Sequence, residues 1–269
     1  MTNTTTTGQR RILVTGASRG IGRGLAIALA ARGDHVVLAA RDAAALAAVA
    51  RDIRDAAGTC EVLPMDVTCD ASVQQGVAAM LRTGPCDVLV NNAGLCIQAD
   101  FMTRSLASLQ AELDVNYWGA LRVTRAVLPS MQQRRAGHVV SVSSLLGSIA
   151  APTTANYSAA KAALEAWSQA MRGELAQFSI DVTVFVVPHT DTEMGRRVHF
   201  AGVHSLPVDY TVQAMLHTIH RRPRRYAASP VYRALLRLNR LLPVFMEQQL
   251  AKSTRPYLGR TTAQQDHAV

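Results

Sequence analysis

Tyr157 and Lys161 stand one helical turn apart in Tyr157-Ser158-Ala159-Ala160-Lys161, where a long helix is expected to begin. Residues spaced this way share a helix face. A free phenol titrates near ~10 and a free lysine near ~10.4. An ammonium beside a phenol favours the phenolate, which predicts a Tyr157 pKa lowered toward the working range of a proton shuttle. Such a pair exchanges a proton with a carbonyl oxygen. The bare spacing also arises on inert, exposed helix faces, so its company matters. Ser144 ends the preceding strand beside Ser143 and can polarise a carbonyl. Asn116, in Asp114-Val115-Asn116 within an earlier helix, can hold a water in a proton relay. Each has a local alternative, a turn bond for the serines and a backbone bond for the Asn.

A second constellation suits an anionic dinucleotide. Thr15-Gly16-Ala17-Ser18-Arg19-Gly20-Ile21-Gly22 follows the first apolar run and opens a helix. Glycines at G-x-x-x-G-x-G let the backbone turn tightly and approach a pyrophosphate, whose charge meets the helix's first amides. Gly16, Ser18, Arg19, Gly20, Ile21 and Gly22 are therefore candidate contacts. At the end of the second run, where a ribose-binding acid often stands, the chain has Ala40-Arg41. Arg41 can grip a 2′-phosphate that an acid would repel, with Arg19 as a second cation. NADP(H) is favoured over NAD(H). The alternative is that Arg41 merely begins the next helix on the surface, with Asp42 neutralising it or capping that helix.

These residues must be positioned by alternating strands and helices. Strands are predicted over 11–15, 35–40, 60–65, 87–91, 138–143 and 181–187, and helices over 20–32, 43–57, 70–82, 106–134, 155–178 and 209–220. Runs such as Val36-Val37-Leu38 and Val88-Leu89-Val90 lack in-out alternation, as strands covered on both faces do. The fold class is α/β, a single Rossmann-type, doubly wound, mostly parallel sheet flanked by helices on both faces. A run over 224–229 can add an edge strand. No repeat or Gly/Ser-rich linker divides the chain, which suggests a disordered polar N-terminus (1–10), a core domain (11–229) and a basic helical extension of it (230–269).

Of the formal net charge of +9, the stretch from His217 onward carries +8: ten Lys or Arg against Glu247 and Asp266. Arg221-Arg222-Pro223-Arg224-Arg225 and a helix over 231–242 hold most of it. A basic amphipathic helix suits a membrane surface, but packing on the domain or on a neighbouring subunit is the commoner use and is expected here. Without stacking aromatics, nucleic acid is not expected. Cys60, Cys69, Cys86 and Cys96 form no C-x-x-C pair, and no apolar leader or run of spanning length appears. Reduced thiols in a cytoplasmic protein are expected. His199, His204, His217 and His220 have no companions at ligand spacing, so no metal is expected.

Taken together, Thr15-Gly16 through Gly22, Asp66-Val67, Asn91-Asn92-Ala93-Gly94, Asn116, Ser144 and Tyr157 with Lys161 make the chain resemble the classical short-chain dehydrogenase/reductase family over about 11–194. The resemblance implies an oxidoreductase working on CH–OH and C=O groups, with Tyr157 as general acid/base and Lys161 binding the nicotinamide ribose. Ser144 would steady the reacting oxygen and Asn116 complete the relay. Asp66 and Val67 would meet the adenine, and Asn92, Ala93 and Gly94 flank the cofactor. A dimer or tetramer is implied. The chain departs from the family at Pro188-His189-Thr190-Asp191-Thr192, where Pro-Gly and a later Thr are usual. Pro188 and Thr192 are carried over as cofactor contacts, while His189 either reaches the substrate or only tolerates the local backbone. The stretch 193–207 sits where the family has its substrate lid. Met194, Val198, Phe200, Val203 and Leu206, with Leu95 and Cys96, suggest a mainly apolar small-molecule substrate. The rival readings are an NAD-linked alcohol dehydrogenase and a non-catalytic NADPH sensor.

Overall fold

β-branched runs bounded by turn residues become the strands. A computed structural model describes residues 9–258. The expected disordered segment lies almost wholly outside the described residues, as do the last residues of the basic extension. The strands are β1 (Arg11–Thr15), β2 (His35–Ala40), β3 (Thr59–Pro64), β4 (Val88–Asn91), β5 (Gly137–Ser144), β6 (Ile180–Val187) and β7 (Arg225–Ala227). They form one sheet in the order β3-β2-β1-β4-β5-β6-β7, and every pairing is parallel. This is the Rossmann-like, doubly wound arrangement expected from the sequence.

The helices are α1 (Gly20–Ala30), α2 (Ala43–Asp55), α3 (Asp70–Thr83), α4 (Leu106–Leu113), α5 (Gly119–Arg134), α6 (Ala155–Leu175), α7 (Glu193–Arg196), α8 (Val208–Arg221), α9 (Pro230–Leu241) and α10 (Pro243–Thr254). On one face of the sheet Leu25, Leu46 and Val212, from α1, α2 and α8, pack on Ile12, Val36 and Phe185. On the other, Val73, Val123 and Leu175, from α3, α5 and α6, pack on Leu13, Val37 and Leu89. Because each central strand is buried on both sides, its residues have no polar face to alternate with. Between β1 and β4 the winding reverses, and the strand ends open there into a crevice suited to a ligand.

Three features depart from the sequence reading. The helix expected over 106–134 is interrupted by a π turn, Asp114–Trp118, in which the Gly119 amide bonds the Asp114 carbonyl five residues back. The edge strand shrinks to Arg225–Ala227, where only three residues reach β6. Beyond α9 the chain turns at Leu242 into α10, a second helix within the expected helical extension, where the sequence pattern bounds only the helix over 231–242.

Candidate active site

The glycine loop is shaped by what a side chain would strike. A Cβ on Gly22 would lie 2.1 Å from the Gly16 carbonyl oxygen, and one on Gly16 would lie 2.9 Å from the Ala93 Cα. Gly16 and Gly20 also adopt φ of +66° and +55°, which glycine takes without strain. Asn92 pins the loop, its Nδ2 donating to the Thr15 carbonyl at 2.9 Å. The Thr15 hydroxyl in turn accepts from the amides of Asn92 and Ala93, each at 3.0 Å. Arg19 at the start of α1 provides no side-chain cap, and the first turn holds no acid. The helix's positive end is thus left for an outside anion.

At the end of β2, Asp42 caps α2, its carboxylate accepting from the Ala45 amide at 2.9 Å. Arg41 is exposed beside it on the rim of the cavity. Arg19 differs from expectation: its guanidinium pairs with Glu193 at 3.1 Å, bridging the glycine loop to α7. Asp66 binds the Thr68 amide and hydroxyl through Oδ1 at 2.9 and 2.8 Å, fixing the turn after β3.

The two serines at the end of β5 divide. Ser143 donates to Glu165 at 2.7 Å and is spent there, whereas Ser144 lies beside the Tyr157 phenol. Lys161 is buried, and its ammonium donates to the Val142 carbonyl at 2.9 Å while lying 5.7 Å from the centre of the Tyr157 ring. Burial pulls the lysine down to about 8. The expected lowering of Tyr157 is reversed. Burial pushes the phenol up from its ordinary value, and the Ser144 hydrogen bond only partly opposes this. Losing water costs the phenolate more than nearby dipoles return. Tyr157 is therefore protonated at neutral pH, a proton donor at rest.

Asn116 sits in the π turn with both of its side-chain N–H groups engaged. Its Nδ2 donates to the carbonyls of Leu95 (2.6 Å) and Glu112 (2.8 Å), and its Oδ1 accepts from the Leu95 amide at 3.2 Å. The side chain thus braces the Asn92–Leu95 turn. Beneath it Glu112 is completely buried. It pairs with Arg104 at 2.6 Å and accepts from the Ile97 amide at 2.9 Å and from Asn156, next to Tyr157, at 3.2 Å.

Thr192 caps α7, its hydroxyl accepting from the Gly195 amide at 2.9 Å while the residue lines the cavity. The lid's base is closed by the Asp191 amide on the Leu206 carbonyl (2.8 Å) and the Leu206 amide on the His189 carbonyl (2.7 Å). Mid-lid, Gln98 clasps His199 through both its amide and its carbonyl, at 2.7 and 2.9 Å, while the Ala201 amide bonds the Ser253 carbonyl of α10 at 3.1 Å.

All this surrounds one cavity of about 1100 Å³. The glycine loop, Arg41, Asp66, Val67, Asn92–Gly94, Ser144, Tyr157, Lys161, Pro188 and Thr192 all line it; so do Met194, Val198, Phe200, Val203, Leu95 and Cys96, whereas Leu206 stays at the lid's base. Tyr232 and Leu235 of α9 and Met246 and Leu250 of α10 complete its wall. The sequence reading missed that wall, since nothing in residues 230–254 marks them as pocket residues. The unfilled helix end, the bare glycine cradle and the crevice fit a dinucleotide such as NAD(P).

The comparisons with known proteins agree. The model of the short chain dehydrogenase family matches residues 10–200. A ketoacyl reductase, HetN, of Nostoc is 39% identical over 199 residues, covering 72% of this chain and 68% of that protein. Retinol dehydrogenase 8 of Bos taurus is 37% identical over 179 residues, covering 65% of this chain and 57% of its own length. Two Dehydrogenase/reductase SDR family protein 7-like proteins, from Anopheles gambiae and Drosophila melanogaster, are matched over only 60% and 54% of their lengths. Among solved structures, a short-chain dehydrogenase of Sphingobium yanoikuyae in complex with NADPH superposes with TM-score 0.75 at 29% identity, covering 87% of this chain and 95% of that one. The architecture, the contents of the crevice and these relatives lead to one assignment: the chain belongs to the classical short-chain dehydrogenase/reductase family of oxidoreductases.

Proposed function

We propose that the protein is an NADP(H)-dependent reductase of ketones or aldehydes, acting on a mainly apolar small molecule. The carrying observation is that a protonated, half-buried Tyr157 shares one cavity with Ser144 and Lys161 at the end of β5 and with the glycine loop and Arg41 across the sheet. When bound, the nicotinamide supplies the hydride.

The chain's own residues do the rest. Ser144 holds the substrate oxygen by hydrogen bonding, and Tyr157 gives that oxygen its proton as negative charge develops on it. Lys161, charged below about pH 8, stabilises the phenolate left behind. Oxidation of an alcohol runs the same steps backwards. Arg41 supports the 2′-phosphate reading because it stands exposed on the cavity where β2 ends, while Asp42 beside it is engaged as the cap of α2 through the Ala45 amide. The lid side chains Met194, Val198 and Phe200 exclude water and favour an apolar compound. The Sphingobium structure, solved with NADPH, supports the cofactor reading by likeness.

Turnover of an aldehyde and ketone panel with NADPH tests it. Tyr157→Phe is expected to lower kcat by about 10²–10⁴-fold while NADPH still binds in a fluorescence titration. Undiminished turnover on a confirmed substrate would overturn the mechanism.

A further inference from the structure

The hairpin of α9 and α10 builds the cavity wall with one side and leaves the other side open. Packing on the domain, expected from the sequence, accounts for Tyr232, which is buried and meets the His189 amide through its hydroxyl at 3.2 Å, and for Met246, also buried. It does not account for the tip. Leu241, Leu242, Val244 and Phe245 are 77%, 51%, 63% and 47% exposed, around the helix-starting Pro243. Four large apolar side chains in five consecutive residues form a projecting patch, not scattered surface residues.

The chemistry around the tip identifies what it meets. Arg233, Arg237 and Arg240 are exposed along α9, three and four residues apart and so on one face. Among the described residues none of them is in an ion pair. Nearby arginines behave differently: Arg222 pairs with Asp181 and Arg225 with Glu165. Between Pro230 and Leu258 the chain carries five cations against Glu247 alone. A second copy meeting the tip face to face would set these like charges against each other. Residues 259–269 and 1–8 contain no large apolar run that could cover it. An apolar tip beside a row of unpaired arginines is complementary to a lipid surface bearing anionic headgroups, with the tip among the acyl chains and the guanidiniums at the phosphates.

We propose that the α9–α10 tip docks this protein on anionic membranes. The docking is independent of the redox reading above, but it places the cavity wall formed by Tyr232, Leu235 and Met246 next to the bilayer, a source of apolar substrate.

The test is flotation of the full-length chain with phosphatidylcholine vesicles, with and without about 30% phosphatidylserine. Recovery with the anionic vesicles, loss of it in high salt and little recovery with the neutral ones are expected. Combined Leu241→Ser, Leu242→Ser, Val244→Ser and Phe245→Ser should abolish recovery. A second variant, Arg233→Gln with Arg237→Gln and Arg240→Gln, should weaken vesicle affinity roughly tenfold or more. NADPH titration and thermal melting check that both variants are folded. Absence of wild-type flotation, or equal flotation of the serine variant, would overturn the proposal. So would concentration-dependent self-association that the serine variant removes while no vesicle binding is seen, since a second copy would then be the occupant. A failure of carbonyl turnover would leave these readings untouched.

Discussion

Single side chains decide the cofactor and the proton. Arg41 stands at the end of β2 with its neighbour's carboxylate committed to the Ala45 amide. Arg41→Asp is therefore expected to reverse an NADPH preference, weakening NADPH by about 10–100-fold through loss of one charge-assisted contact and added repulsion. Parallel titrations with NADPH and NADH check it. Gly16 to Gly22 and the Tyr157–Lys161 pair were legible from spacing because backbone clearance and helix pitch act locally. The state of the phenol was not, because its direction of shift depends on how thoroughly distant segments exclude water. Ser144 was singled out over Ser143 by the family pattern, and the physical reason became visible only in the fold, where Glu165 on α6 captures the first serine and leaves the second. The ion pair between Arg19 and Glu193 joins residues far apart in the chain and leaves no local trace.

At the scale of elements, the strands were legible because burial on both faces writes itself as unbroken Val and Leu. The π turn was hidden: the Ala and Leu spacing of 106–134 reads as one helix, and the widening at Asp114–Trp118 is accompanied by tertiary bonds, Asn116 to Leu95 above all. Its stability rests on Glu112 and Arg104, whose buried pair ties α4 to the Ile97 segment and, through Asn156, to α6. Glu112→Ala would strand the Arg104 guanidinium, with its side chain 5% exposed. A loss of about 3–5 kcal/mol in chemical denaturation is expected. α10 had no bounds of its own within the expected helical extension because its only well-buried residues are Met246 and Thr254, too few to make a helical stripe.

For the whole molecule, stability should depend on acid through His138 in β5. Burial, above all, pulls this imidazole down to about 4. Its Nε2 meets the Thr183 hydroxyl at 2.9 Å, and its Nδ1 has no partner to welcome a proton. The unfolded chain takes up that proton near pH ~6.5, whereas the folded chain resists until about pH 4. Unfolding thus gains protons throughout that window, so stability falls as pH drops through it, by about 3 kcal/mol in all from this group. Urea midpoints compared between wild type and His138→Gln from pH 7 to 4.5 should show a flatter profile for the variant. The uneven charge, +8 of +9 from His217 onward, was plain in the sequence. Which of those arginines are already paired became visible only once Asp181 and Glu165 were brought alongside.

The lid is buckled on two sides at once, to Gln98 and to the Ser253 carbonyl. It cannot lift as a free flap, because raising its middle unfastens two unrelated parts of the molecule together. The amide protons of His199 and Ala201 should therefore share one degree of protection against exchange for deuterium, and Gln98→Ala should lower it for both. Weaker protection at Ala201 than at His199 would mean that the strap peels from α10 first, making the helical hairpin the gatekeeper of traffic into the cavity.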